Sequence, residues 1–556
     1  MRRTAGLLAL AAVPTAVLAV FFLLPVWGMV ERGLWPDGSF DPGAMVEVIG
    51  RERTLRVVWF TLWTSTVSTV VAVVLGLPAA YVLHRLDLPL RSAVRAALLV
   101  PFVLPTVVVG IAIRELVAES GPLGFLGIDG SPVAILVGLV FFNVAVVIRT
   151  VGTAWESLDR RPAEAAAGLG ASPFHVLRTV TFPALRPAIV SAAAVVFLFC
   201  ATGFGVVLLL GGTRYSSVET EIYLLTTGAI TGTVEYQAAA ALSLVQLAAV
   251  VALLAVAARL RAVPDPTVRR ARSAPARPRR QDVPALVATG LVLLAVAAPV
   301  VTLVVGSLRQ DGAWTLAHYR ALQGSGEDAG ASGMDGGLLR VSVAEALTNS
   351  LRIAVDATWM ALLLGLLVAV VVTRRTRGRT EARVRSAFDG LFMLPLGVSA
   401  VTLGFGFLIT LDDPPLDLRS SPVLVPVAQA LVALPLVVRV LVPVLQGIDD
   451  RQRQAAASLG AGPLRAALTV DVPVLWRPLL AAAGFAFAVS LGEFGATSFI
   501  VRAQVPTLPV VIYRLIGSPG ALNYGTAMAA SVVLAAATAL VILVVERLRV
   551  PGVGVF

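Results

Sequence analysis

The sequence predicts an all-α polytopic membrane protein with about twelve transmembrane helices in two tandem homologous halves of six. Three observations carry that reading. The 556-residue chain is 57% hydrophobic and 14% charged, with a mean hydropathy of +0.87, whereas about a quarter of a soluble globular chain is charged. Uncharged stretches of about 20 residues recur along it, the length that crosses a hydrocarbon core. A polar loop also occurs twice, about 290 residues apart. A large soluble protein of buried helices does not fit this composition.

The apolar-length criterion places the spans at 7–30, 56–83, 96–118, 132–152, 182–210 and 236–260 in the first half. In the second they fall at 284–308, 346–373, 387–411, 421–446, 474–500 and 522–546. The basic start Met1-Arg2-Arg3 suits a signal peptide, but the apolar run from Leu7 to Val30 is too long for one. An uncleaved first span is therefore expected. The resulting plan is a first helix and outer loop (1–55), then a first core (56–260) carrying a cytoplasmic loop at 156–180. A linker (261–283) and a seventh helix with its outer loop (284–345) follow. A second core (346–548) carries its cytoplasmic loop at 446–470.

Arginine placement sets the orientation. All 44 basic residues are arginine. With the N-terminus inside, 30 of the 44 fall on the cytoplasmic side, while most acids fall outside. The basic excess marks the cytoplasmic face, so both termini are expected there. Both copies of the repeated loop then fall in the cytoplasm without being placed there by assumption. The net charge of +11 needs no nucleic-acid partner, because no aromatic residues interleave the arginines of the linker. The Pro- and Arg-rich segment Val263–Val283 reads as a tether near anionic lipid. Cys200 lies alone in an apolar segment, and His84, His175 and His318 are scattered, so no metal constellation is expected.

The first loop runs Glu164-Ala165-Ala166-Ala167-Gly168-Leu169-Gly170-Ala171-Ser172-Pro173, with Pro183 ten residues on. The second runs Gln454-Ala455-Ala456-Ala457-Ser458-Leu459-Gly460-Ala461-Gly462-Pro463, with Pro473 ten residues on. The alanines favour a short helix. Gly170 and Gly460 fit a helix end that needs positive φ. Pro173 and Pro463 can open a second short helix. Small side chains let another protein pack closely, so two such loops suggest two docking points for a two-fold partner. The repeat extends further: Leu104-Pro105 matches Leu394-Pro395, Phe204-Gly205 matches Phe494-Gly495, and Ile222-Tyr223 matches Ile512-Tyr513, all at an offset of 290. A parallel repeat puts a pseudo-two-fold axis along the membrane normal, with a path between the halves.

This pattern resembles the E-A-A---G loop, with its downstream proline, of the inner-membrane permeases of binding-protein-dependent ABC importers. Glu164, Ala165, Ala166, Gly170 and Pro183 match in the first half. Ala455, Ala456, Gly460 and Pro473 match in the second, where Gln454 replaces the leading acid. The resemblance implies a bacterial cytoplasmic-membrane permease with two ATP-binding cassette subunits docked on the loops and an extracytoplasmic binding protein delivering a small substrate. ATP-Mg would be used by the partner subunits, with no cofactor bound by this chain. A fused pair of halves resembles the thiamine and ferric-iron importer permeases. Phe141-Phe142-Asn143, the run Phe197–Gly205, Leu210-Gly211-Gly212-Thr213 and Glu219-Thr220-Glu221-Ile222-Tyr223 look like the thiamine type. Thiamine is the expected cargo and ferric iron the alternative.

Two acids fall inside expected spans. Glu493 is costly to bury unless paired, hydrated or protonated. It reads either as a carboxylate lining the path of a cation or as a packing group bonded to backbone near Gly492 and Gly495. Asp356 reads as a second path residue, or as a group facing hydrated loop or paired with Arg352. Asn143 fits an interhelical hydrogen bond. Without lysine the chain cannot contain G-x-x-x-x-G-K-[ST], and it carries no nucleophile–base–acid arrangement. No enzyme activity is expected. A secondary transporter driven by an ion gradient would show an intramembrane ionisable relay, and a membrane enzyme an active-site cluster; the sequence offers neither.

Overall fold

The computed structural model describes residues 2–35, 38–229, 232–260, 276–323, 341–373, 378–412, 418 and 420–547. Among them, ten helices are long and apolar enough to cross a membrane: Leu10–Leu34, Glu52–Arg85, Pro132–Glu156, Pro173–Ala201, Tyr236–Val256, Arg280–Ser307, Val343–Thr373, Leu424–Gln446, Ala467–Gly492 and Ala521–Val545. An eleventh span arises if the pair Arg91–Val103 and Thr106–Val117, bent by 101°, counts as one. Apart from helices, the described residues hold one two-stranded hairpin, Arg309–Gln310 with Ala313–Trp314.

Among the described residues, several of the twelve expected spans are broken or shortened, and the reasons are local. The expected span 96–118 breaks at Leu104-Pro105, because a residue before proline is driven out of the helical region; Leu104 is extended, with ψ of 137°. The expected span 387–411 is divided between the helices Arg379–Gly397 and Ala400–Thr410, with Val398 extended between them. The expected spans 182–210 and 474–500 stop early, at Ala201 and Gly492, and short helices follow at Phe204–Gly211 and Thr497–Ile500. Each begins earlier than hydropathy suggests, through a π-helical turn at Leu177–Thr181 or Ala467–Asp471. Pro183 and Pro473 follow these turns and have no N–H to donate, which matches the shift in the hydrogen-bond ladder. The linker 261–275 lies outside the described residues. Its last part is not a free tether: Ala276 N donates to Arg85 O at 2.9 Å, and Asp87 N donates to Ala276 O at 2.7 Å. Tyr81 adds a 2.9 Å bond to Asp282.

Within each repeat the most extensive packing joins the same two helices, Glu52–Arg85 with Pro132–Glu156 and Val343–Thr373 with Leu424–Gln446. Small residues make that approach possible. A Cβ on Gly76 would lie 2.8 Å from Val147 Cβ, and one on Gly365 would lie 2.5 Å from Val437 Cγ1. The two leading helices cross over. Leu24–Leu34, the latter part of the first, packs on Ala400–Thr410, where Phe21 also meets Phe407 edge-on at 6.1 Å. Val283–Ser307 packs on Glu52–Arg85 and Thr106–Val117. Each repeat thus holds the other's leading helix. The largest buried cluster runs across both, through Ile222, Phe204, Phe494, Ile512 and Phe405.

Because the Val437 side chain lies so close behind it, Gly365 cannot take a side chain without displacing Val437. Gly365→Val should lower the stability of the purified protein by about 1–3 kcal/mol. A cysteine-reactivity or fluorescence melt in detergent measures it. Gly50→Val, where a Cβ meets nothing within 4 Å, should leave the melt unchanged.

Candidate functional site

Both repeated loops fold alike. The helices Arg161–Gly168 and Asp450–Ser458 end on Leu169 and Leu459, and Gly170 and Gly460 then take φ of +87° and +82°. Only glycine adopts that region without a Cβ penalty. Gly170 N donates to Ala167 O at 2.9 Å and Ala171 N to Ala166 O at 3.1 Å; in the second copy Gly460 N reaches Ala457 O and Ala461 N reaches Ala456 O, both at 3.0 Å. These paired bonds close the helix end as a Schellman motif. A second short helix opens at Pro173 or Pro463. The result is an elbow of two short helices in each copy, as the sequence predicts.

The elbows present a specific surface. Glu164 and Ala165 are exposed in one, Gln454 and Ala455 in the other. At their tips Leu169 and Leu459 are each 90% exposed. These leucines were not singled out in the sequence, although their matched place between helix and glycine was visible. An apolar tip beside small residues and one acid or amide suits insertion into a cleft on a partner. The copies differ in bracing. Arg453 Nε donates to Asp471 at 2.8 Å and Nη1 to Asp450 at 3.0 Å, tying the second elbow to the π-turn after it. Ala163 and Thr181 occupy the places of Arg453 and Asp471 in the first copy, so that brace is missing there. Ser172 instead accepts from His175 N at 3.3 Å.

The first elbow is anchored to its helices by charge. Glu156, at the end of Pro132–Glu156, pairs with Arg95 at 2.8 Å and His84 at 3.1 Å. Arg85 donates to Trp155 O at 3.3 Å. These contacts link the helix leading into the elbow to Glu52–Arg85 and to the broken helix beginning at Arg91.

The repeats meet through their matched aromatics. Phe204 and Phe494 stack with centroids 5.3 Å apart and planes 16° from parallel. Tyr223 meets Phe204 edge-on at 5.4 Å, and Tyr513 meets Phe494 at 5.4 Å. The two tyrosines lie 6.4 Å apart, and Phe499 closes on Tyr223 at 5.5 Å. Phe204 is 5% exposed and Phe494 2%. Such pairs contribute about 0.5–1.5 kcal/mol each beyond their buried area. A cavity of about 340 Å³ opens beside them, lined by Arg114, Leu208, Leu209, Tyr513, Arg514 and Ile516. Its place near the end of Thr106–Val117 and beyond Phe204–Gly211 sets it away from the elbows, which lie past the other end of Pro132–Glu156. The sequence marked these aromatics by their common offset of 290 and, for Phe204 and Tyr223, by their thiamine-type runs; neither signal says that they meet.

Glu493 sits at the helix break, buried, with its oxygens taken by the chain. Its Oε1 accepts from Ala496 N at 2.7 Å, and Oε2 accepts from Thr497 N at 3.0 Å and from the Thr497 hydroxyl. This is the bonding to nearby backbone that the packing reading describes, and it fixes the turn carrying Phe494. Asp356 is partly exposed on Val343–Thr373 and accepts from Trp359 Nε1 at 3.4 Å; its pairing with Arg352 is absent among the ion pairs of the described residues. The two acids are not brought together. Asn143 bridges helices by donating to Cys200 Sγ at 3.4 Å while donating to Leu139 O at 2.9 Å. Two further acids sit close to the junction on Val218–Thr227. Glu221 takes a bidentate pair of bonds from Arg53, and buried Glu219 accepts from Gln246. Among the described residues no cluster of His, Cys, Asp and Glu could hold a metal ion.

Comparison with known proteins agrees with this geometry. Residues 72–270 match the family described as binding-protein-dependent transport system inner membrane component. Over 530 residues the chain is 27% identical to the thiamine transport system permease protein ThiP of Salmonella typhimurium, covering 92% of this chain and 91% of that one. The molybdenum transport system permease protein ModB of Azotobacter vinelandii is 33% identical over 168 residues, 29% of this chain and 74% of its own length. The ferric transport system permease protein FbpB of Actinobacillus pleuropneumoniae is 23% identical over 93% of this chain and 75% of its own. With its apolar helices and paired elbows, the chain belongs to the family of inner-membrane components of binding-protein-dependent transport systems, multi-pass ABC importer permeases that leave ATP hydrolysis to a partner subunit.

Proposed function

We propose that this chain is the whole transmembrane unit of an importer for thiamine, built as two tandem cores of six spans each with both termini in the cytoplasm. The broken pairs Arg91–Val117 and Arg379–Thr410 each count as one crossing in this scheme. Two ATP-binding subunits dock on the elbows at 156–180 and 446–470, and they alone use ATP-Mg. A binding protein delivers cargo to the opposite face, where 309–344 and the ends of 211–235 lie; the middle of the latter, expected as loop, is the buried helix Val218–Thr227. The observation that carries this is the pair of elbows with matched backbone geometry on one chain. The cargo rests on likeness to the thiamine permease along nearly the whole chain and on an aromatic junction whose ring faces suit a planar cation.

A second reading has a specific observation behind it. Arg114 and Arg514 line the cavity beside Tyr513, and two guanidinium groups favour a cargo that brings negative charge. Ferric iron travelling with compensating anions fits that wall, and a ferric permease is among the relatives. The experiment that separates the two uses the complex drawn from native cells by a tag on this chain and placed in liposomes with its binding protein. ATP-dependent uptake of radiolabelled thiamine, and none of ferric iron, is expected. Native mass spectrometry of the same complex should give two ATPase subunits per chain. Iron uptake without thiamine uptake would overturn the cargo, and one ATPase subunit per chain would overturn the paired docking.

The elbows depend on positive φ. A β-branched residue there strains the turn by about 1–2 kcal/mol. Gly170→Val and Gly460→Val should each reduce the ATPase subunit that co-purifies with the chain, leaving the chain's membrane yield unchanged. Normal recovery in both variants would refute the docking assignment.

Glu493 shapes the path by holding the turn after it, in our reading. An amide presents one acceptor oxygen where the carboxylate presents two, so Glu493→Gln leaves a buried N–H unpaired at about 1–3 kcal/mol. Thermal stability, coupled ATPase activity and uptake should fall together. Lost uptake at unchanged stability would instead make the carboxylate a direct contact of the cargo.

A further inference from the structure

We propose that Phe204, Tyr223, Phe494 and Tyr513 are the closed gate of the translocation path, a seal that parts along the Phe204–Phe494 stack. The proposal rests on the permease reading but on no particular cargo. The quartet lies where the two repeats touch, two rings from each. Phe204 and Phe494 hold the same position in their repeats, directly after the helices Pro173–Ala201 and Ala467–Gly492 stop. Discontinuous helices at a repeat junction are where transport paths are built, because the backbone there can line a cavity in place of lipid.

The surroundings hold each ring to its own repeat. In the second repeat Glu493 accepts from Ala496 N and Thr497 N, closing the turn that carries Phe494. In the first, Gly205 lies against Thr106, so close that a Cβ would collide with its side chain. The rings are therefore fixed to the helices behind them, while across the junction they meet face to face with no hydrogen bond between the two rings. An apolar contact between two rigid bodies can separate and re-form without leaving buried polar groups unpaired. The cavity beside Arg114 and Arg514 is lined by Tyr513 but by none of the other three rings, which fits a vestibule in front of a closed gate. Closed apolar constrictions exclude water and ions by dewetting. When the stack opens, two aromatic faces become available to a passing ring or cation.

The test uses the chain with its ATPase subunits in liposomes that trap a halide-sensitive dye, with iodide outside. Replacing both rings, Phe204→Ala with Phe494→Ala, should speed iodide influx about tenfold over the wild-type complex. The pair Phe21→Ala with Phe407→Ala, an edge-on contact between the first helix and Ala400–Thr410 away from the quartet, should stay as tight as wild type. A double variant recovered at normal yield yet tight to iodide would overturn the gate. A second arm covers a double variant that does not assemble. In a Cys200→Ala background, Phe204→Cys with Phe494→Cys should be joined by a short bis-methanethiosulfonate reagent in the nucleotide-free complex. The product should be lost when the ATPase is trapped with ATP and vanadate. A missing cross-link, or one that persists through trapping, would equally overturn it. Neither readout uses thiamine, iron or the binding protein, so a wrong cargo assignment and a wrong gate give different results.

Discussion

A helix can be interrupted inside a membrane only where protein shields the freed backbone groups, and the architecture follows from meeting that condition several times. The breaks at Leu104-Pro105, Val398-Ser399, Thr202-Gly203 and Glu493 all face other parts of the chain. Two supply their own acceptors. Ser399 Oγ takes Thr402 N at 2.9 Å, and Glu493 takes Ala496 N and Thr497 N. Glycines do the rest by letting backbones close in, as at Gly404, where a Cβ would strike Ala496. The interrupted helices are thus drawn to the middle of the molecule. The long uninterrupted ones, Glu52–Arg85 and Val343–Thr373 among them, are left with faces turned outward, where Trp59 and Trp359 are exposed.

The elbows are stiff and connected at both ends. Their hydrogen-bonded helix ends leave little slack. Glu156, Arg95 and Arg85 couple the first elbow to the helices that frame the junction. The crossed leading helices matter here as well. Each repeat carries the other's helix, so the two are interlocked about a shared core.

The features most legible in the sequence are those governed by local rules. Gly170 and Gly460 announce a positive φ, Pro173 and Pro463 announce a helix start, and the repeat offset identifies equivalent residues without any knowledge of their neighbours. The number of crossings was less legible. The apolar run resumes directly after Gly203 and after Glu493, so a helix that stops there looks continuous with the residues that follow. Lateral packing left no periodic trace, and nothing in Leu10–Leu34 or Val283–Ser307 advertises that each crosses to the other repeat. Glu493 was visible as an acid in an apolar run, but its bonding to Ala496 and Thr497 depends on a turn the pattern does not encode. The aromatic quartet lies between these cases: its members were identifiable, their meeting was not.

The unequal bracing of the elbows bears on how such a chain can evolve. In a permease assembled from two identical chains, every substitution appears on both sides of the symmetry axis, and an interface must tolerate it twice. Here the Arg453–Asp471 pair exists on one side alone, Gln454 stands opposite Glu164, and Glu493 stands opposite Gly203. Covalent linkage has made the two sides separately heritable. The two elbows can diverge in charge and bracing, and a buried carboxylate can be carried once without its mirror image facing it across the axis.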